Sequence, residues 1–151
     1  KMLKMDFVLA IAEDQVPSTK EPDPYMHVFM DAGAGNVPAF FELPTKPPMG
    51  RDPNTPEWVQ HIAFKVKDLA TLLEYREHLE ANGVEVLGVT DHGAFHSIYF
   101  FDPKGHRVEL ACPDPDEAET LRKLDAVKWD MLEEWSRPNR APKHSAWRHP
   151  K

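Results

Sequence analysis

The sequence predicts an α+β fold on three observations. Residues 58–112 read as β-α-β-β-β, residues 1–43 end like a diverged copy of that pattern, and a further amphipathic helix follows. The repeat is visible where Val37-Pro38-Ala39-Phe40-Phe41-Glu42-Leu43 is set against His106-Arg107-Val108-Glu109-Leu110. In both, a glycine turn leads into an apolar strand that carries a glutamate. The first copy lacks an opening strand and helix. This divides the chain into an incomplete first copy (1–43), a linker (44–57), a complete second copy (58–112) and a C-terminal helix with a loose tail (113–151).

The elements follow in order. Met2 to Ala12 is apolar enough for a strand, and the proline-rich stretch Pro17 to Pro24 reads as an inserted loop, since proline cannot continue a sheet interior. His27 to Asp31 and Val37 to Leu43 form a hairpin around the turn Gly33-Ala34-Gly35-Asn36. Pro44 to Pro56 breaks regular structure. From Trp58 to Lys67 the chain alternates: Ile62, Phe64 and Val66 point one way, under the following helix, and His61, Ala63 and Lys65 the other. Asp68 is placed to cap a helix whose apolar positions are Leu69, Leu72, Leu73 and Leu79, with Arg76 at the same spacing, and Asn82-Gly83 stops it. Strands follow at Val84 to Val89, Ser97 to Phe101 and His106 to Cys112, the last two joined by the tight turn Asp102-Pro103-Lys104-Gly105. Pro115 to Trp135 forms the last helix. Its stripe of Leu121, Leu124, Val127, Met131 and Trp135 is expected to pack on the sheet.

Composition excludes several classes. A net charge of −7 argues against nucleic acid, whose binding needs clustered Lys and Arg. The sequence has no apolar run approaching the ~20 residues of a membrane helix, and no signal peptide is read at the start. The single cysteine, Cys112, forms no internal disulfide and suits a reducing, cytoplasmic setting; it reads as a small buried hydrophobe. The chain starts with Lys rather than Met, as a processed, trimmed or partial chain would.

Two residues interrupt apolar strands on the face away from the helix: His61 and Glu109. Glu42 does the same in the first copy. A buried carboxylate is costly without a partner, and an imidazole nitrogen with a carboxylate oxygen suits a divalent cation such as Fe, Mn, Ni, Co or Zn. His92, in the glycine turn Asp91-His92-Gly93, titrates near neutral pH and can act as an acid or base. Tyr99 shares a strand face with Ser97 and Phe101 and can hydrogen-bond a bound oxyanion. His96 reads as an exposed turn residue. His27, His78 and His106 draw no functional role, and His144 and His149 belong to the tail.

These residues sit in stretches that resemble a known superfamily. Gln60-His61-Ile62-Ala63-Phe64-Lys65-Val66 with Asp68-Leu69, and Tyr99-Phe100-Phe101-Asp102-Pro103-Lys104-Gly105-His106-Arg107-Val108-Glu109-Leu110, are similar to the vicinal oxygen chelate proteins. These include glyoxalase I, extradiol dioxygenases, fosfomycin-resistance enzymes and bleomycin-binding proteins. The resemblance covers 61–112 well and 1–43 more weakly. It implies paired βαβββ modules forming an open, cupped mixed sheet around a metal. His61 then matches the ligand on a module's first strand, Glu109 the ligand on its last strand, and Glu42 the last-strand ligand of the preceding module. A fourth position is absent. Either residues precede Lys1 and supply it, which is favoured, or a second subunit does.

Asp91-His92-Gly93, Tyr99 and Glu109 also resemble the last module of extradiol dioxygenases, which hold Fe(II) with two His and one Glu. The expectation is therefore a ring-cleaving dioxygenase acting on a catechol-like aromatic. Fe(II) is the expected metal on His61, Glu109 and Glu42, with Mn, Ni, Co or Zn as alternatives. His92 and Tyr99 are the catalytic pair, and Phe40 and Phe95, with Phe41, line the ring-binding pocket. Glu42 pulls toward one alternative, a glyoxalase I-like lyase on a thiol adduct of a 2-oxoaldehyde. Another is a non-enzymatic small-molecule-binding protein of the resistance type. The partner is a small molecule, with no nucleic acid and no membrane. A homodimer would cover the sheet edges that an open cup leaves.

Overall fold

The computed structural model describes residues 2–47, 50 and 52–136. The chain divides into two compact units, Lys1–Arg51 and Asp52–Lys151. The architecture is mixed α+β, with two open sheets and two helices among the described residues.

The first unit is an antiparallel meander of β1 (Asp6–Gln15), β2 (Pro22–Asp31) and β3 (Ala39–Glu42), in the order β1-β2-β3. The β2–β3 hairpin lies where the glycine turn placed it. Gly33 N donates to Asp31 Oδ1 at 2.7 Å, and Asn36 N to the Gly33 carbonyl at 2.9 Å. The inserted loop expected at Pro17 to Pro24 is shorter than that, because β2 begins at Pro22. The sheet tolerates the two prolines for two reasons. The β1–β2 register is irregular between Glu13 and Gln15, opposite them, and β3 pairs only with Met26 to Phe29. Pro22 and Pro24 therefore lie where one side of the strand needs no donor. β1 also starts and ends later than expected.

The second unit runs β4 (His61–Lys65), α1 (Leu69–Ala81), β5 (Leu87–Asp91), β6 (Phe95–Phe101), β7 (Arg107–Pro113) and α2 (Glu117–Trp135). The βαβββ order matches the expectation. The sheet order is β4-β7-β6-β5, with β4 parallel to β7 and the other pairs antiparallel. Asp68 caps α1, its carboxylate accepting from Thr71 N at 2.9 Å and from the Thr71 hydroxyl at 2.7 Å. The chain leaves α1 through Asn82 and through Gly83 at φ 77°. Val84 to Val86, expected as strand, precede β5.

The core lies between α1 and the two inner strands. Leu72 and Leu79 are fully buried with Ile98, and Phe100, Val108, Leu110 and Cys112 are buried beside them. Of the expected helix positions, Leu69 and Leu73 remain exposed. Ile62 does not join the core either: β4 is an edge strand, and Ile62 is 58% exposed. The expected packing of α2 along the sheet is corrected as well. Its side-chain ties to the rest of the second unit include two at its N-terminal end, where Thr120 Oγ1 donates to the Gly93 carbonyl at 3.2 Å and Glu117 meets Lys65 at 3.6 Å. Of the expected stripe, Leu121 and Trp135 are exposed and Leu124, Val127 and Met131 half-buried, and Thr120 is the buried residue of α2. The expected tail beyond 136, with His144 and His149, lies outside the described residues. Among the described residues no helix is long and apolar enough to cross a membrane.

Candidate metal centre

Strand alternation sorts the second sheet into two faces. Ile98, Phe100, Val108 and Leu110 turn toward α1, so Ser97 and Tyr99 on β6, and Arg107 and Glu109 on β7, turn to the other side. In register, Glu109 lies between Tyr99 on β6 and Ala63 on β4, and His61 is opposite Arg107. Ala63 carries only a methyl group, which leaves room for the His61 ring to lean across toward Glu109.

The two side chains meet. His61 Nε2 is 2.8 Å from Glu109 Oε2. The other ring nitrogen, Nδ1, lies 3.1 Å from the Val59 carbonyl, which accepts a hydrogen bond only and so places the Nδ1 proton. Glu109 is 5% exposed, so its charge needs local partners. They are present: Ser97 Oγ donates to Oε1 at 2.5 Å, and the Tyr99 hydroxyl donates to the same oxygen at 3.3 Å. His92 Nε2 lies 2.8 Å from the Tyr99 oxygen. With its one proton directed at Glu109, Tyr99 accepts from His92 Nε2–H. Burial raises the Tyr99 phenol above its ordinary range, and the Glu109 charge raises it further, so Tyr99 is a protonated donor at neutral pH.

The chain thus brings His61, Glu109, His92 and Tyr99 into one hydrogen-bonded set. Phe95 joins it by stacking on His92, with ring centroids 4.8 Å apart. Glu42 ends β3 in the first unit, where it lines a hollow with Ala12, Glu13, Tyr25 and Met26. Phe40 is in the same strand, 51% exposed. Among the described residues no third His, Cys, Asp or Glu clusters with His61 and Glu109.

Two further side chains join the set. Ser97 is fully buried against Glu109, and the Arg107 guanidinium lies over the Tyr99 ring, 4.2 Å from its centroid. Their signal was present, because both fall on the same alternation as Tyr99 and Glu109. His96 is also reassigned. It lies within β6, half-buried, opposite Cys112 and 3.6 Å from Asp114, rather than in an exposed turn. His106 closes the Asp102 turn, its Nδ1 2.9 Å from Asp102 Oδ2.

A layered βαβββ unit whose open face carries a histidine on the first strand and a buried glutamate on the last defines the class. The chain belongs to the Glyoxalase/Bleomycin resistance protein/Dioxygenase superfamily, whose model matches residues 4–110. It is 34% identical over 76 residues to biphenyl-2,3-diol 1,2-dioxygenase 2 of Rhodococcus globerulus. That match covers 47% of this chain and 40% of the relative, so the chain spans well under half of the curated protein it matches. The fold is similar to that of a glyoxalase family protein from Bacillus cereus (TM-score 0.58, 15% identity, 74% of this chain and 80% of that one). It is also similar to the trypanothione-dependent glyoxalase I of Leishmania major (TM-score 0.52, 22% identity, 89% and 83%). A fosfomycin resistance protein from Listeria monocytogenes gives a TM-score of 0.50 at 23% identity (77% and 78%). At these identities the structural likeness speaks for the fold alone.

Proposed function

We propose that the chain is a divalent-metal-dependent, extradiol-type ring-cleaving dioxygenase acting on a catechol-like aromatic, with His61 and Glu109 as metal ligands and Fe(II) as the metal. One observation carries the reading. The Val59 carbonyl accepts a hydrogen bond from His61 Nδ1–H, which leaves the Nε2 lone pair facing Glu109 Oε2 at 2.8 Å. Two acceptors at that distance repel unless a cation lies between them. A second proton on the ring would satisfy the pair as an ion pair, and a metal would satisfy it as a chelate.

The spacing suits the metal. Bonds of about 2.1 Å at right angles put neighbouring donor atoms about 3.0 Å apart, so the pair is already within a few tenths of an ångström of an octahedral edge. Glu42 is the repeat's counterpart of Glu109 in the first unit. The bound metal would supply Lewis acidity and hold the diol.

The chain's own residues support the rest of the role. Tyr99, a protonated phenol, is suited to hydrogen-bond a substrate oxygen next to the metal ligands. His92, donating to the Tyr99 oxygen, can pass a proton through it. Phe95 stiffens His92 by stacking and offers an aromatic edge to a ring. The His92–Tyr99 pair and the partial match to a biphenyl-diol dioxygenase favour ring cleavage over isomerisation.

The test is anaerobic Fe(II) loading of the chain, metal analysis after desalting, then oxygen with a panel of aromatic diols. Retained iron with a yellow ring-fission product is expected. Iron that washes out, or no coloured product from any diol, sinks the reading. Loss of iron in Glu42→Ala would add Glu42 to the ligand set.

A further inference from the structure

We infer that Ser97 is a positioning residue that fixes which oxygen of Glu109 is offered to the metal and limits Glu109 to a single metal bond. The inference rests on the reading of His61 and Glu109 as ligands.

A glutamate carboxylate rotates readily about its last side-chain bond and can hold a metal through one oxygen or two. In this site the two oxygens have different surroundings. Oε2 faces His61 Nε2 at 2.8 Å. Oε1 accepts from Ser97 Oγ at 2.5 Å and more loosely from the Tyr99 hydroxyl at 3.3 Å. Ser97 is thus the closer anchor, and it leaves Tyr99 able to turn its proton toward a substrate.

Ser97 itself is held. It is fully buried, and β5 runs close against its backbone: a Cβ added at Gly88, at the register irregularity between Gly88 and Thr90, would lie 2.7 Å from the Ser97 carbonyl oxygen. A hydroxyl at 0% exposure is costly unless it is hydrogen-bonded, and the Glu109 carboxylate is its acceptor. An alanine would fill the same space in the strand. What the hydroxyl adds is orientation of one carboxylate, which keeps a coordination position free that a two-oxygen grip would take.

Cobalt(II) titration of the full chain and of Ser97→Ala tests this. A competing chelator reads affinity, and the visible cobalt band reads coordination number. Ser97→Ala is expected to bind cobalt roughly 10- to 100-fold more weakly, the usual cost of losing an outer partner of a ligand. Its band should weaken as the freed carboxylate closes on the ion, and its metal-free unfolding midpoint should fall modestly because the buried Glu109 charge loses one donor. Equal affinity with an unchanged band overturns the inference while leaving the ligand assignment standing. So does a drop in metal-free stability with undiminished affinity, which would make Ser97 a packing residue. A parent chain that binds no cobalt removes the ligand assignment itself, and the inference with it.

Discussion

The phenol of Tyr99 is the residue on which binding and turnover separate. It touches Glu109 and His92 but is not one of the proposed ligands, and the Arg107 guanidinium covers its ring. Tyr99→Phe keeps the ring and that stacking and removes one hydroxyl. Glu109 keeps its shorter bond from Ser97, so Fe(II) binding should stay within a few-fold of the parent. Turnover should fall roughly 100-fold or more, the usual worth of a positioned proton donor. Equal loss of metal and of rate would make Tyr99 a structural support for Glu109. At this scale much of the site was legible in advance. His61, Glu109 and Tyr99 break apolar runs at positions that alternation puts on one face. Ser97 was less legible, because a serine among Ile98, Phe100 and Phe101 looks like strand filler until the cross-strand register shows Glu109 beside it.

Among the elements, β5 has the most demanding backbone. Gly88 has φ +106°, where only glycine is comfortable, and a Cβ there would sit 2.7 Å from the Ser97 carbonyl oxygen. Gly88→Ala should therefore cost about 2 kcal/mol or more in chemical denaturation. It should also weaken metal binding, because the clash pushes on the residue that holds Glu109. The sequence placed a strand near here but set it at Val84 to Val89; a bulge next to glycine leaves no mark on local periodicity. The same blindness explains Pro22 and Pro24. Proline was read as a strand breaker, but the strand's neighbour stops short of them. α2 shows the limit of stripe reading: Leu121 and Trp135 fall on its apolar side, but periodicity names a face without saying what covers it.

Across the whole molecule, the repeat was the most informative signal. The β1-β2-β3 meander of the first unit has the same order and sense as β5-β6-β7 of the second, as the glutamate-bearing strands suggested. The parallel pairing of β4 with β7 was not legible, because a strand's sequence does not name its partner. That pairing matters for the whole fold, since it brings a histidine and a glutamate from distant points of the chain into contact. Any ligand that binds only the native state raises its stability, by roughly 2.7 kcal/mol at a hundred times the dissociation constant.

The edge position of β4 has a kinetic consequence. The strand is five residues long, mostly exposed and hydrogen-bonded into the sheet on one side only, so it is the natural place for the unit to fray. An ion gripped by His61 and Glu109 would act as a latch on that fray, closing a loop that contains α1, β5 and β6. Amide exchange at Ile62 to Lys65 should slow on addition of metal far more than exchange in β6. Uniform slowing, or none in β4, would show that nothing fastens the strand there.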